Sequence, residues 1–360
     1  MKNKWTKKIR LTNIHGGKLM KEAFFYQKVE ADKVRCNLCN HRCKIADGKR
    51  GICGVRENLA GKLYSLVYGK IIAEHIDPIE KKPLFHFMPG SRAFSIGTVG
   101  CNFHCKHCQN FDISQYPHKH NGDISGRDRS PEQIVAAAKN NDCKSIAYTY
   151  TEPTIFFEYA YDTAVLAQKE GIRNIFVSNG YMSAEAARKI APYLDGINID
   201  LKAFNEKFYK EICGARLKPV LETIQLMKEL GVWVEVTTLI IPGLNDEEQE
   251  LRDIARFIKG VGPEMPWHVT QFYPTYKLGD RPRTPVSTLR RARKIGIEEG
   301  LRYVYEGNVP GEGGENTYCY SCGAILIERH GLTLIKNHLK EGNCPQCQAK
   351  ISVHSEATSF

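Results

Sequence analysis

Between about residues 93 and 308, short runs rich in β-branched and aromatic residues alternate with amphipathic stretches. That alternation is the pattern of repeated βα units around a parallel sheet. Seven runs read as strands: residues 93–100 (AFSIGTVG), 145–150 (SIAYTY), 174–179 (NIFVSN), 196–203 (GINIDLKA), 232–242 (VWVEVTTLIIP), 268–274 (HVTQFYP) and 303–308 (YVYEGN). Seven in one series predict an α/β fold, a complete or partial (β/α) barrel. Helix starts lie between them. Ser130-Pro131-Glu132-Gln133 offers an N-cap, a first-turn proline and a capping-box glutamine, and Asn245-Asp246-Glu247-Glu248 places acids at a positive helix end.

Outside the series the chain is organised by cysteine. Thirteen fall as four (Cys36, Cys39, Cys43, Cys53), three (Cys101, Cys105, Cys108), four (Cys319, Cys322, Cys344, Cys347) and two singletons, Cys143 and Cys213. Grouping of this kind reads as metal binding, because a disulfide framework belongs to exported chains and no export signal is legible. The expected division is a basic tail (1–30), a four-cysteine segment (31–60), a lead-in (61–90), the barrel (91–310) and a second four-cysteine segment (311–360). Segments this small rarely bury enough surface to fold alone, whereas structural zinc supplies about 10 to 16 kcal/mol.

Composition changes this picture little. The 360 residues carry a formal charge of +11, part of it in Lys2, Lys4, Lys7, Lys8 and Arg10. A solvated tail explains that cluster, with a nucleic-acid arm as the alternative. No apolar run reaches the eighteen or so residues of a membrane span, so the expectation is a cytoplasmic protein with no membrane partner.

Cys101-Asn-Phe-His-Cys105-Lys-His-Cys108 is a C-x3-C-x2-C loop directly after the first barrel strand, at the end where such barrels place their chemistry. Three thiolates there can each take one iron of a cubane and leave the fourth iron open. A zinc site completed by His104, His107, Cys143 or Cys213 is the competing reading. Further polar motifs end the following strands: Thr151-Glu152-Pro153, Ser178-Asn179-Gly180, Asp200-Leu201-Lys202, Thr237 through Asp246, and Tyr276. In a barrel they converge on one mouth. His268 starts its strand and is expected at the opposite end.

The C-x3-C-x2-C loop in this position resembles the signature of the radical S-adenosylmethionine (SAM) superfamily. Gln109-Asn110, Asn179-Gly180 and Asp200-Leu201-Lys202 resemble its pyruvate formate-lyase activating enzyme branch. The resemblance implies an oxidoreductase that cleaves SAM at a [4Fe–4S] cluster on Cys101, Cys105 and Cys108, giving a 5′-deoxyadenosyl radical for hydrogen abstraction. His107 then holds the place of an aromatic residue near the adenine. Glu152, beside Thr151, faces the SAM amino group where the superfamily often has Gly-Gly-Glu. Ser178 and Asn179 lie beside SAM, Asp200 and Lys202 meet its ribose and carboxylate, and Tyr276 replaces a SAM-contacting histidine.

The flanks extend the likeness. Cys319-x2-Cys322 and Cys344-x2-Cys347 have zinc-ribbon spacing, with rubredoxin-like iron as the alternative. Cys36-x2-Cys39-x3-Cys43-x9-Cys53 reads as zinc or a second iron-sulfur cluster. With the Asp77 to His86 lead-in, the whole layout resembles the AmmeMemoRadiSam-system radical SAM enzymes. The expected partners are an electron donor such as ferredoxin or flavodoxin and a protein substrate activated as a glycyl radical. RNA modification is the alternative, and a zinc-scaffolded interaction protein the non-enzymatic one.

Overall fold

The computed structural model describes residues 12–13 and 19–354. At its centre lies an eight-stranded sheet whose spatial order is its sequence order. The strands are β1 (Ala73–Pro78), β2 (Arg92–Gly97), β3 (Ser145–Tyr148), β4 (Arg173–Ser178), β5 (Gly196–Asp200), β6 (Trp233–Ile240), β7 (Trp267–Gln271) and β8 (Val304–Gly307). β2 to β8 are parallel, and β1 runs antiparallel along β2. The seven predicted strands coincide with β2 to β8. β1 carries several exposed or half-buried polar residues and no apolar run, which is why it reads as lead-in. The pairing starts at β8 and stops at β1 without closing, so the barrel is partial.

Each crossover carries a helix: α1 (Pro131–Asn140), α2 (Phe157–Lys169), α3 (Ala184–Ile190), α4 (Leu217–Glu229), α5 (Glu248–Val261) and α6 (Val286–Glu298). α1 starts as its sequence dictates. Ser130 Oγ accepts from Gln133 N, and Gln133 Oε1 accepts from Ser130 N at 2.9 Å. α5 carries the expected acids at its start, with Glu247 at the N-cap and Glu248 and Glu250 in the first turn, while Asn245 and Asp246 accept from Ile241 N and Gly243 N and hold the preceding turn.

The flanks attach differently. Residues 19–22, 56–59 and 62–65 join 12–13 in a four-stranded sheet, and 26–30, 33–36 and 44–45 form a three-stranded one. Strands thus occupy part of the expected tail, while the cluster Lys2, Lys4, Lys7, Lys8 and Arg10 lies outside the described residues. Val34, Leu38, Ile45 and Val55 belong to the same apolar core as the barrel. Residues 317–318, 325–330 and 333–337 form a separate three-stranded sheet. Leu326, Ile327 and Ile351 pack there with Phe85, Tyr303 and Tyr305 in a core of their own. Among the described residues, no helix is long and apolar enough to cross a membrane.

Candidate active site

The thiol-bearing loop leaves the carboxyl end of β2 through Gly97, where a Cβ would come 2.7 Å from Thr149 O, so glycine is required for the strands to pack. Gln115 then fixes the loop from beneath: its Nε2 donates to Phe103 O at 3.1 Å and its Oε1 meets His104 Nδ1 at 2.7 Å. His104 N and Lys106 N donate to the carbonyls of Cys213 and Ile212, each at 2.9 Å. These bonds bring the loop against the segment that follows β5, and Cys105 Sγ, a His107 ring nitrogen and Cys213 Sγ lie within 4.8 Å of one another.

The motifs after β3 and β4 meet through one buried carboxylate. Glu152 Oε1 accepts from Thr154 N and Oγ1 and from Ser178 Oγ, while Oε2 accepts from Asn179 N at 2.8 Å. Asn179 Nδ2 donates in turn to Asn102 Oδ1 at 2.8 Å, tying this turn to the residue after Cys101. Thr151 Oγ1 donates to Thr98 O. Tyr150 takes φ +66°, so the left-handed backbone that glycine would adopt freely is kept in its absence. Such a position costs about 1 to 3 kcal/mol and is held by surroundings, here including the Tyr150 hydroxyl donating to Asp77 Oδ2 at 2.7 Å.

After β5, Lys202 Nζ lies 2.8 Å from Asp200 Oδ2. The Lys202 backbone is pinned on both sides, its N donating to Tyr209 Oη and its carbonyl accepting from Asn245 Nδ2. Tyr276, also left-handed at φ +50°, stacks on Phe111 with ring centroids 4.5 Å apart, and Lys277 N donates to Lys106 O. The expected residues from five strand ends therefore gather around one loop.

The Radical SAM superfamily profile matches residues 95–258. An uncharacterized protein of Methanocaldococcus jannaschii is 48% identical over 337 residues, 93% of this chain and 99% of that protein. The chain belongs to the radical SAM superfamily. A putative glycyl-radical enzyme activating enzyme of the same organism is 27% identical over 179 residues, 49% of this chain and 65% of that one. The pyruvate formate-lyase-activating enzyme of Streptococcus mutans is 22% identical over 225 residues, 58% of this chain and 85% of its own. The chain is thus a radical SAM protein with similarity to activating enzymes, in a superfamily whose chemistry uses SAM and a [4Fe–4S] cluster.

The residues present fit both groups. Cys101, Cys105 and Cys108 feel one another electrostatically, as sulfurs gathered in one loop must, and three soft thiol donors suit iron. Buried His107 Nδ1, Asn102 Nδ2 and Thr237 Oγ1 have no protein partner; buried polar atoms left so are the mark of a site that binds something polar. The electrostatics agree. Burial works against the Lys202 charge, yet Asp200 and then the Cys105 and Cys213 sulfurs hold the ammonium well above the ordinary lysine value. Burial and then Lys202 push His107 down to about 3, so its ring is neutral. Cys105 is held below the usual thiol value by a hydrogen bond from Cys213, against burial and aided by Lys202.

One contributor escaped the sequence, and two were visible there without their place in the site. Thr237, at the head of the motif on β6, pairs across the sheet with Asp200, a register no sequence spacing reveals. Asn102 was only a spacer in the cysteine motif. Cys213, a singleton in the sequence and one candidate to complete a zinc site, is fully buried beside Cys105; Cys143 lies elsewhere, before β3. His268 lies at the amino end of β7, where Nε2 meets buried Glu235 at 2.7 Å, far along the strand from the mouth.

Proposed function

We propose that Cys101, Cys105 and Cys108 hold the [4Fe–4S] cluster, that SAM binds between it and the ring of β3 to β7 residues, and that the substrate is a partner protein activated as a glycyl radical. When bound and reduced, the cluster supplies the one electron that splits the SAM sulfonium into methionine and a 5′-deoxyadenosyl radical. Lys202 offers an ammonium to the methionyl carboxylate, and Asp200 accepts from the ribose hydroxyls. Glu152 has most of its acceptor capacity committed to Thr154, Ser178 and Asn179; its part is to hold the Asn179 turn against Asn102, with Oε2 left to meet the amino group. Thr151 braces the same turn. Neutral His107 presents a flat face to the adenine, and Tyr276 with Phe111 shields the loop from water, which an indiscriminate oxidant requires.

The observation that carries this reading is the Asp200–Lys202 pair standing beside the Cys105 sulfur at the end of β5. The activating-enzyme relatives support a protein substrate and an external reductant of the ferredoxin or flavodoxin class. The same proposal includes the division into tail, four-cysteine segment, lead-in, barrel and terminal segment, and zinc at Cys319, Cys322, Cys344 and Cys347. Those four thiols lie within 4.8 Å of one another, with Sγ pairs at 3.5 and 3.7 Å; thiolates about 2.3 Å from one zinc stand about 3.8 Å apart.

The test is anaerobic reconstitution followed by reduction with SAM present. The wild-type chain should release 5′-deoxyadenosine and Cys105→Ala should release none; equal yields from the two would sink the assignment. With a partner protein carrying deuterated glycine, deuterium should appear in the 5′-deoxyadenosine and a glycyl radical in the partner. Deuterium transfer from an RNA substrate instead would replace the partner reading.

A further inference from the structure

Cys36, Cys39, Cys43 and Cys53 take no part in the site above, yet all four line one cavity of about 20 Å³, with His41, Arg56 and Asn102 also in its walls. Open space of that extent between the thiols is more than four sulfurs closed on one ion would leave. Four thiolates on a single zinc stand about 2.3 Å from the ion, and at that distance their own van der Waals radii fill the centre. The C-terminal four meet that geometry. The N-terminal four do not: among the described residues, they contain no three sulfurs within 4.8 Å of one another, and the middle is open. A cubane puts each thiolate on a different iron at alternate corners of a cube, and so holds four sulfurs further apart around a filled centre.

We infer that Cys36, Cys39, Cys43 and Cys53 coordinate a second [4Fe–4S] cluster, whose cavity shares a wall with the three-cysteine loop. Two further observations fit an occupant built of sulfur and iron. Arg56 is buried in the wall, held at one end by Glu158, while its Nε has no partner; a cluster sulfur is the acceptor that completes it. The remaining walls include Leu38, Ile45 and Ile155, each 1 to 2% exposed, which keeps water from the cluster.

The cavity is built into the mouth of the barrel. Asn102 follows Cys101, and its carbonyl lies 2.7 Å from His41 Nε2. At Gly100, φ +95°, a Cβ would meet Cys53 O at 2.9 Å and Val55 Cγ1 at 2.6 Å, so the two cysteine segments touch backbone to backbone. Asn40 N donates to Tyr181 O and Ser183 N to Leu38 O, which binds the segment to the turn after Asn179.

Metal content tests this apart from activity. After anaerobic reconstitution of the full chain, the triple variant Cys101→Ala, Cys105→Ala, Cys108→Ala should retain about half of the wild-type iron and sulfide. On reduction it should give an electron paramagnetic resonance signal that SAM does not perturb, and zinc should stay at one per chain. Cys39→Ser with Cys43→Ser should lose the same half and keep the SAM-sensitive signal. An iron-free triple variant overturns the proposal, whether the site then holds zinc or nothing. Should the N-terminal variant fail to fold, the triple variant decides alone, since it leaves that segment intact. The outcome is also independent of the proposed function: iron retained in the triple variant stands even if the wild type releases no 5′-deoxyadenosine.

Discussion

The two four-cysteine segments share a ligand count and a leading C-x2-C, but the protein uses them in opposite ways. The N-terminal four are built into the barrel's own core and share Asn102 with the mouth. The C-terminal four, two of them exposed, belong to a small unit with its own core, fixed to the amino end of the sheet. That docking is polar: Arg329 reaches Glu80, Phe85 O, Thr317 Oγ1 and Glu315 O, while His86 meets Ser352 O at 2.7 Å and Tyr305 Oη at 2.5 Å. Separation from the mouth and tight thiol spacing fit a staple. Continuity with the mouth and wide spacing fit a cofactor pocket.

Removing metal should part the two regions most sharply. With zinc at the C-terminal four cysteines as proposed, a chelator that strips it withdraws about 10 to 16 kcal/mol of local folding energy. Hydrogen exchange protection of residues 317–337 should collapse, while iron content and 5′-deoxyadenosine release persist; loss of both together would show that the units are not separable. Buried ion pairs give the next contrast. Arg56→Met strands Glu158 and Arg329→Met strands Glu80, each at about 3 to 5 kcal/mol in denaturant unfolding. Only the Arg56 change should also lower iron content, and iron loss in both would blur the distinction.

Acid should act mainly on the C-terminal junction. Burial pushes His86 down to about 4 from the ordinary 6.5, so between those values the unfolded chain binds the extra proton and stability rises with pH. Its contribution is whole above pH 6.5 and is lost as pH falls toward 4, a change of about 3 kcal/mol. Glu235 acts in the same direction: burial raises it, but His268 and His86 outweigh burial and hold its carboxyl below the usual range. His86→Asn should flatten that slope in unfolding curves taken from pH 7 to 4, and an unchanged slope would exclude the junction as its source. The smallest effect belongs to the shared wall. Asn102→Ala removes the Asn179 bond, about 1 kcal/mol, and should alter the resonance signals of both iron sites without touching zinc.

The barrel was readable because its strands are continuous apolar runs and its helix starts carry local caps such as Ser130 and Gln133. β1 was not, since its polar sequence is stabilised by pairing with β2 alone. At the mouth, Asp200, Lys202 and Thr237 were visible in motifs, whereas the pairing of Thr237 with Asp200 depends on register and the place of Cys213 on how the segment after β5 folds back. Tyr150 shows the converse. The residue type argued against a left-handed turn, and tertiary contacts, Asp77 among them, hold it there.

By itself the sequence determined the order of elements, the grouping of the cysteines and the convergence of motifs on one end of a parallel sheet, because those follow from local periodicity and chain direction. Only the tertiary structure decided how far apart each set of sulfurs stands. A C-x2-C spacing limits how close two thiols come in one turn, but the distance to the other pair is set by packing between segments remote in the chain. That distance separates one ion from a cluster.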